Sequence, residues 1–81
     1  MILKYPLSTE KIVKLIETEN KIAFIVDRRA SKAQIAREFE KEFKFKPIKI
    51  NTQIRGSEKI AYIKLKPENP ALDIATKLGI M

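Results

Sequence analysis

The segment KFKPIKINTQIRGSEKIAYIKLK, residues 44–66, predicts a β-hairpin, and the rest of the fold can be built outward from it. Pro47 is compatible only with the start or the edge of a strand, so the first strand is expected to begin there. Gly56 and Ser57 are typical of a tight turn. Residues 59–65 then predict an apolar-rich strand that returns along the first one.

The alternation of side chains gives the hairpin two different faces, because successive residues of a strand point to opposite sides of the sheet. The positions expected to face inward are Ile48, Ile50, Thr52 and Ile54. Those expected to face outward are Lys49, Asn51 and Gln53 on the first strand, with Tyr62 and Lys64 on its partner. The outward face is therefore cationic and also carries amide groups and one aromatic ring.

An edge strand and a helix are predicted at the start of the chain. Residues 2–5 (ILKY) can form a short strand that Pro6 ends. Ser8 or Thr9 can then cap a helix that extends to about Thr18.

A buried strand and a second helix come next. Residues 21–27 (KIAFIVD) are apolar at both alternating sets of positions, which is typical of a central strand buried on both faces. Ser31, with Gln34 three residues later, predicts a capping box at the start of a helix that extends to about residue 43. The aromatic residues expected in the core are Phe24, Phe39 and Phe43.

A third helix is predicted after the hairpin. Asn69 is expected as its N-cap and Pro70 as its first residue. Lys77 in the last turn and Gly79 just beyond it indicate the end of this helix.

This order of elements predicts an α+β fold, a split β-α-β sandwich in which a mainly antiparallel sheet of three or four strands packs against helices. A right-handed crossover makes the strands at 21–27 and 47–54 parallel, and 59–65 is expected to lie antiparallel between them. The length of 81 residues predicts a single domain, residues 1–81.

The composition argues against several classes of protein. Histidine and cysteine are both absent, so the usual base for nucleophilic catalysis and the usual zinc ligands are missing. No apolar run approaches the roughly 20 residues that span a bilayer, and no secretory signal is recognisable. We therefore expect a cytoplasmic protein that is not an enzyme, is not inserted in a membrane, and needs no metal, cofactor or small-molecule substrate.

The positive charge is concentrated on the hairpin. The chain has a formal net charge of +7, and residues 43–66 hold seven basic residues and one acid. Lysines on a strand can simply protect an exposed edge and aid solubility. The near absence of compensating acids favours the other interpretation, that the hairpin contacts phosphates and bases of a nucleic acid.

The arginine pair at 28–29 and the tyrosine at 62 each allow two interpretations. Arg28 and Arg29 can form a second phosphate contact, or they can be the ordinary polar residues of an exposed turn. Tyr62 can pack against the sheet or stack on a base.

Three motifs resemble a known family. The opening YPLSTEK (5–11), the hairpin IKINTQIRGSEKIAYIKL (48–65) and the ending ALDIATKLGI (71–80) are similar to ribosomal protein L23 of the large subunit, in its short archaeal form. The resemblance extends over essentially the whole chain, with the three motifs in the right order and spacing.

The resemblance implies a function and partners. Members of the family bind large-subunit ribosomal RNA at the outer rim of the polypeptide exit tunnel and contact ribosomal protein L29. They help to form the docking site for the signal recognition particle, the translocation channel and other factors that meet the nascent chain. In bacterial relatives, the chaperone trigger factor docks there through an exposed glutamate.

The resemblance also assigns roles to residues of this chain. The docking glutamate corresponds to Glu10, for which the signal recognition particle or a translocation channel is the expected partner, since archaea are not expected to carry trigger factor. The candidate RNA-binding residues, from the hairpin charge and the resemblance together, are Lys11, Lys44, Lys46, Lys49, Asn51, Gln53, Arg55, Lys59, Tyr62 and Lys64. Bacterial members extend the hairpin into the tunnel by a long basic loop, whereas Gly56 and Ser57 close it here, so binding is expected at the rim.

A different class also fits the predicted fold. A small ferredoxin-like protein-interaction or regulatory module could pair the edge of the hairpin with another chain. The two hypotheses differ in a simple way, because a ribosomal component sediments with large subunits and a regulatory module stays in the soluble fraction.

Overall fold

The computed structural model describes residues 2–80 and contains one four-stranded sheet and three helices. In chain order the elements are β1 (Leu3–Pro6), α1 (Glu10–Glu19), β2 (Lys21–Val26), α2 (Lys32–Phe43), β3 (Lys49–Arg55), β4 (Glu58–Lys64) and α3 (Ala71–Lys77). The strand order is β1-β2-β4-β3, and each pair of neighbours is antiparallel. Since β4 lies between β2 and β3, these two strands are parallel to one another, and the predicted α+β topology is confirmed.

The sheet has its most buried strand in the middle. Every residue of β2 after Lys21 is buried, as expected for a strand covered on both faces. The Phe24 ring lies 6.4 Å from that of Phe39 and 6.1 Å from that of Phe43, centroid to centroid. Both partners belong to α2, so α2 covers the face of the sheet that carries Phe24. The three phenylalanines belong to the core or pack against it, as predicted.

The prediction that Ile48 and Ile54 face a core is wrong. These side chains are 53% and 50% exposed, whereas Ile50 between them is 9% exposed. β3 is an edge strand, and its last three residues, 53–55, are exposed. Before the start of β3, Ile48 borders an open surface depression whose α2 side consists of Lys32, Ala33 and Ala36. The alternation correctly identified one face of the strand, but of the three isoleucines on that face only Ile50 is buried.

The local signals for the starts of α1 and α2 and for the hairpin turn are confirmed. The hydroxyl of Thr9 accepts a hydrogen bond from the Ile12 backbone N–H at 3.2 Å. Ser31 and Gln34 form both hydrogen bonds of a capping box. At the hairpin turn, Gly56 adopts φ = 63°, a left-handed conformation that glycine reaches without a steric penalty.

The third helix begins differently from the prediction. Pro70, not Asn69, occupies the N-cap position, and no side chain of its own caps the helix. The side-chain Oδ1 of Asn20 accepts a hydrogen bond from the Ala71 N–H at 2.7 Å instead. The end is as predicted, with Gly79 at φ = 75° just beyond the last turn.

Candidate nucleic-acid interface

Three lysines lie side by side across the sheet, on the face opposite α2. Lys64 of β4 is directly opposite Lys21 of β2 on one side and Lys49 of β3 on the other. Neighbouring strands are about 4.8 Å apart, so the three side chains emerge within a strip about 10 Å wide. Like charges directly opposite one another destabilise a sheet unless an anion compensates them.

One acid compensates this row in part. Glu19 Oε1 lies 3.1 Å from Lys21 Nζ, and the other salt bridge within residues 2–80 is far from the row, between Arg29 and Asp27. Lys64 and Lys49 therefore have no carboxylate within 4 Å in the described part of the chain. The sequence did not identify Lys21 as part of this surface, because its position depends on the register between β2 and β4, which are separated by 31 intervening residues in the sequence, from 27 to 57.

The amide and aromatic groups of the hairpin lie next to the lysine row on the same face. Asn51 is opposite Tyr62, and the Tyr62 hydroxyl donates a hydrogen bond to Gln53 Oε1 at 3.2 Å. Tyr62 is half-buried and Gln53 is exposed. The hydrogen bond holds the ring in place beside a polar surface that can offer amide donors and acceptors.

We call this surface the cationic face and define it as Lys21, Lys49, Asn51, Gln53, Tyr62 and Lys64. The five hairpin residues predicted to share an outward face are all in it. A side-chain arrangement of this kind can contact phosphates through its ammonium groups and bases through its amides and ring.

More lysines surround one end of the cationic face. β2 and β3 begin at this end of the sheet and β4 finishes there, so the segments flanking the hairpin lie close to the lysine row. Lys44 ends α2 in a left-handed conformation with φ = 69°, and Lys46 follows before β3. Both are exposed, as is Lys66 just after β4. The positive charge is therefore greatest at this end of the sheet.

Three of the four arginines, Arg28, Arg29 and Arg55, lie at the opposite end of the sheet, near the hairpin turn. Arg55 is exposed and is paired in register with Glu58. Arg28 Nη1 donates a hydrogen bond to the Gly56 carbonyl at 3.4 Å. This contact ties the loop after β2 to the tip of the hairpin, so Arg28 has a structural partner within the protein.

Arg29 also has a partner within its own loop. Its backbone N–H donates to Asp27 Oδ1 at 2.9 Å, and its Nε lies 3.8 Å from the same oxygen. The backbone hydrogen bond, reinforced by the positive charge of the guanidinium, lowers the pKa of Asp27 below its ordinary value. The guanidinium itself stays exposed.

Besides Lys44, Lys46 and Arg55 at the two ends of the sheet, two further candidates from the sequence lie outside the cationic face. Lys59 is in register with Val26 and Ile54, on the face covered by α2, and its Nζ donates to the Ala30 carbonyl at 2.6 Å. Lys11 is exposed in the first turn of α1, which follows β1, the edge strand farthest from β3.

Glu10 is the exposed first residue of α1. Thr9 caps the helix, so the Glu10 carboxylate is left free to interact with the positive end of the helix dipole or with a partner. Glu10 is therefore separate from the residues of the cationic face, which are on β2, β4 and β3.

Residues 2–80 contain no group of three or more histidine, cysteine, aspartate or glutamate side chains placed to hold a metal ion. Over the same residues, none of the helices has the length and apolar character needed to cross a bilayer.

Comparison with known families gives a match to one of them. The sequence model of the family described as Ribosomal protein L23 matches residues 1–64 of the 81-residue chain. The matched part contains all four strands and the first two helices. The segment ALDIATKLGI, which contributes to the resemblance seen in the sequence, lies beyond it.

Proposed function

Because the chain belongs to the ribosomal protein L23 family, whose members are large-subunit ribosomal proteins, we propose that it binds large-subunit ribosomal RNA through the cationic face. The binding site is the outer rim of the polypeptide exit tunnel. The protein acts in the cytoplasm as a structural, non-enzymatic constituent of the subunit.

The observation that carries this proposal is the row formed by Lys21, Lys64 and Lys49. Their mutual repulsion is relieved when phosphates replace solvent counterions around them. Release of those counterions contributes about −0.7 to −0.9 to the logarithmic salt dependence of binding for each phosphate that is neutralised. The RNA supplies anions for Lys64 and Lys49, which have no carboxylate within 4 Å among residues 2–80.

Selectivity comes from the shape of the folded RNA and from the polar part of the face. A rigid sheet fixes the spacing of the lysines, so RNA whose phosphates match that spacing binds best. Tyr62 is half-buried, so the accessible part of its ring can contact a base, and Asn51 and Gln53 offer amide groups to base edges and to the ribose hydroxyl.

A charge-matched pair of variants tests this mechanism. Lys49→Gln with Lys64→Gln removes two charges from the cationic face, and Lys14→Gln with Lys41→Gln removes two from exposed positions of α1 and α2. In filter-binding titrations with large-subunit ribosomal RNA, the first pair reduces the salt slope by about 1.4 to 1.8, and the control pair leaves it nearly unchanged. An equal reduction of the salt slope in both double variants would contradict binding through the cationic face.

Factor docking is the second part of the proposed function. Glu10 contributes to a docking site for the signal recognition particle and the translocation channel, next to ribosomal protein L29. Support comes from family membership and from the exposure of Glu10 on α1, at the edge of the sheet away from β3. Glu10 is not one of the residues of the cationic face, so the docking site and the RNA site can be occupied together.

Ribosomes that carry Glu10→Gln test the docking role. These ribosomes should assemble normally but recover less signal recognition particle in a pull-down, whereas Glu17→Gln, at another exposed position of α1, should not change recovery. Cosedimentation of the wild-type chain with large subunits at moderate salt also separates this function from that of a regulatory module.

A further inference from the structure

A pocket lined by apolar and acidic side chains lies between β1 and α2. Its volume is about 200 Å³, and its apolar side chains come from β1, β2, α2 and the end of α3. The apolar residues that line it are Leu3, Pro6, Phe24, Phe43 and Leu78. Its acidic wall consists of Glu38 and Glu42.

The two carboxylates are four residues apart, on one stripe of α2. Like charges at this spacing repel one another and destabilise a helix. Within residues 2–80 neither of them has a basic nitrogen within 4 Å, although Lys4 also lines the pocket. The chain as a whole carries a net charge of +7, whereas this wall of the pocket carries two acids side by side.

We propose that this pocket docks a segment of a partner protein in which a lysine or arginine stands beside a large apolar side chain. The apolar side chain enters the pocket and is removed from water against Phe24, Phe43 and Leu78. The neighbouring cation lies over Glu38 and Glu42 and relieves their repulsion. An anionic ligand such as RNA is disfavoured here, because its phosphates would face the same two carboxylates.

The position of the pocket allows it to act at the same time as the cationic face. It lies beside β1, and β1 and β3 are the two opposite edges of the sheet. RNA bound over the lysine row leaves the β1 edge accessible. The inference rests on the pocket and its charges alone, so it stands or falls independently of the proposed RNA binding.

A pair of labelled peptides tests the docking site on the full-length chain. The first peptide alternates leucine and arginine, and the second has glutamate in place of each arginine. Fluorescence anisotropy should show tighter binding of the arginine peptide, although the net charge of the protein favours the acidic one. Tighter binding of the glutamate peptide, or no binding of the arginine peptide, would overturn the proposal.

Variants of the wall show whether the arginine peptide uses this pocket. Glu38→Gln with Glu42→Gln should weaken its binding roughly tenfold, since two charge pairs of moderate strength are lost. Glu17→Gln with Glu68→Gln, at exposed positions outside the pocket, makes the same change in net charge and should have little effect. Nuclear magnetic resonance shifts on peptide addition should centre on the methyl groups of Leu3 and Leu78. Equal effects of both double variants, or shifts elsewhere on the molecule, would refute docking at this site.

Discussion

Asn20 caps a helix that begins 51 residues further along the chain, by accepting a hydrogen bond from the Ala71 N–H on its side-chain Oδ1 at 2.7 Å. Its Nδ2 lies 3.0 Å from the Leu65 carbonyl and 2.9 Å from the Lys66 carbonyl. Asn20 itself ends α1 in a left-handed conformation with φ = 53°. One side chain therefore joins the end of α1, the segment after β4 and the start of α3.

Asn20→Gly should destabilise the protein by about 2 to 3 kcal/mol, because a helix cap and two further hydrogen bonds are lost. Glycine keeps the left-handed backbone without strain, so the effect isolates the side chain. Lys44→Gly is the control, since Lys44 also ends a helix with positive φ and should gain about 0.5 to 1 kcal/mol from the same substitution. Chemical denaturation followed by circular dichroism measures both free energies of unfolding. A stability gain in both variants would mean that the Asn20 hydrogen bonds contribute nothing.

Lys59→Met should affect stability more than RNA binding. In the wild-type protein, the Ala30 carbonyl accepts a hydrogen bond from Lys59 Nζ at 2.6 Å. Methionine keeps an unbranched apolar stem but cannot donate this hydrogen bond. Loss of a hydrogen bond to a charged donor costs about 1.5 to 3 kcal/mol. Lys64→Met, on the cationic face, should instead affect RNA binding more than stability. Denaturation and filter binding on both variants give the comparison, and a larger loss of RNA affinity for Lys59→Met would contradict the assignment of Lys59 to the α2 face.

Ile54→Ala should cost less than about 1 kcal/mol, whereas Ile63→Ala should cost about 2 to 5 kcal/mol. Both residues are β-branched and lie in strands of the hairpin, but Ile54 is 50% exposed and Ile63 is fully buried. The difference between the two losses of stability therefore reflects burial and not strand propensity. Equal free energies of unfolding for the two variants would show that Ile54 is covered in solution.

The sequence predicted the features that depend on neighbours in the chain. The capping box of Ser31 and Gln34 and the turn at Gly56 are local, since each is determined by a few consecutive residues. The two-sided burial of β2 also follows from a local pattern of apolar residues. The sheet topology could be derived because crossover connections have a preferred hand.

Features that depend on tertiary contacts could not be predicted in this way. The capping of α3 by Asn20 needs the ends of two helices to meet, and Asn69 offered a plausible local cap instead. The exposure of Ile54 depends on which part of the sheet α2 packs against. Lys21 joins the candidate interface only through its register with Lys64. These are relationships between elements, and a single sequence gives no direct signal for them.

A hydrogen bond between Tyr5 and Glu58 crosses the sheet on the face opposite α2. Tyr5 of β1 is in register with Ile25 of β2, and its hydroxyl donates to Glu58 Oε2 of β4 at 2.9 Å. Because β2 lies between these two strands, the tyrosine side chain reaches across it. The hydrogen bond to the carboxylate stabilises the neutral phenol, and the negative charge of Glu58 acts in the same direction, so the pKa of Tyr5 is raised above 10.0.

Glu58→Gln should lower the pKa of Tyr5 towards its ordinary value. The chain has two tyrosines, so a Tyr62→Phe background leaves Tyr5 as the only phenol in an ultraviolet titration. A folded-state pKa above that of the unfolded chain means that the native state holds the proton more tightly. The stabilisation is therefore complete below about pH 10 and is lost as the pH rises through the folded-state pKa. The stability difference between the parent and the Glu58→Gln variant should therefore be constant below about pH 10 and narrow as the pH rises above it, and Tyr5→Phe should abolish this narrowing. A difference that stays constant with pH in the parent background would show that the phenol and the carboxylate are not coupled.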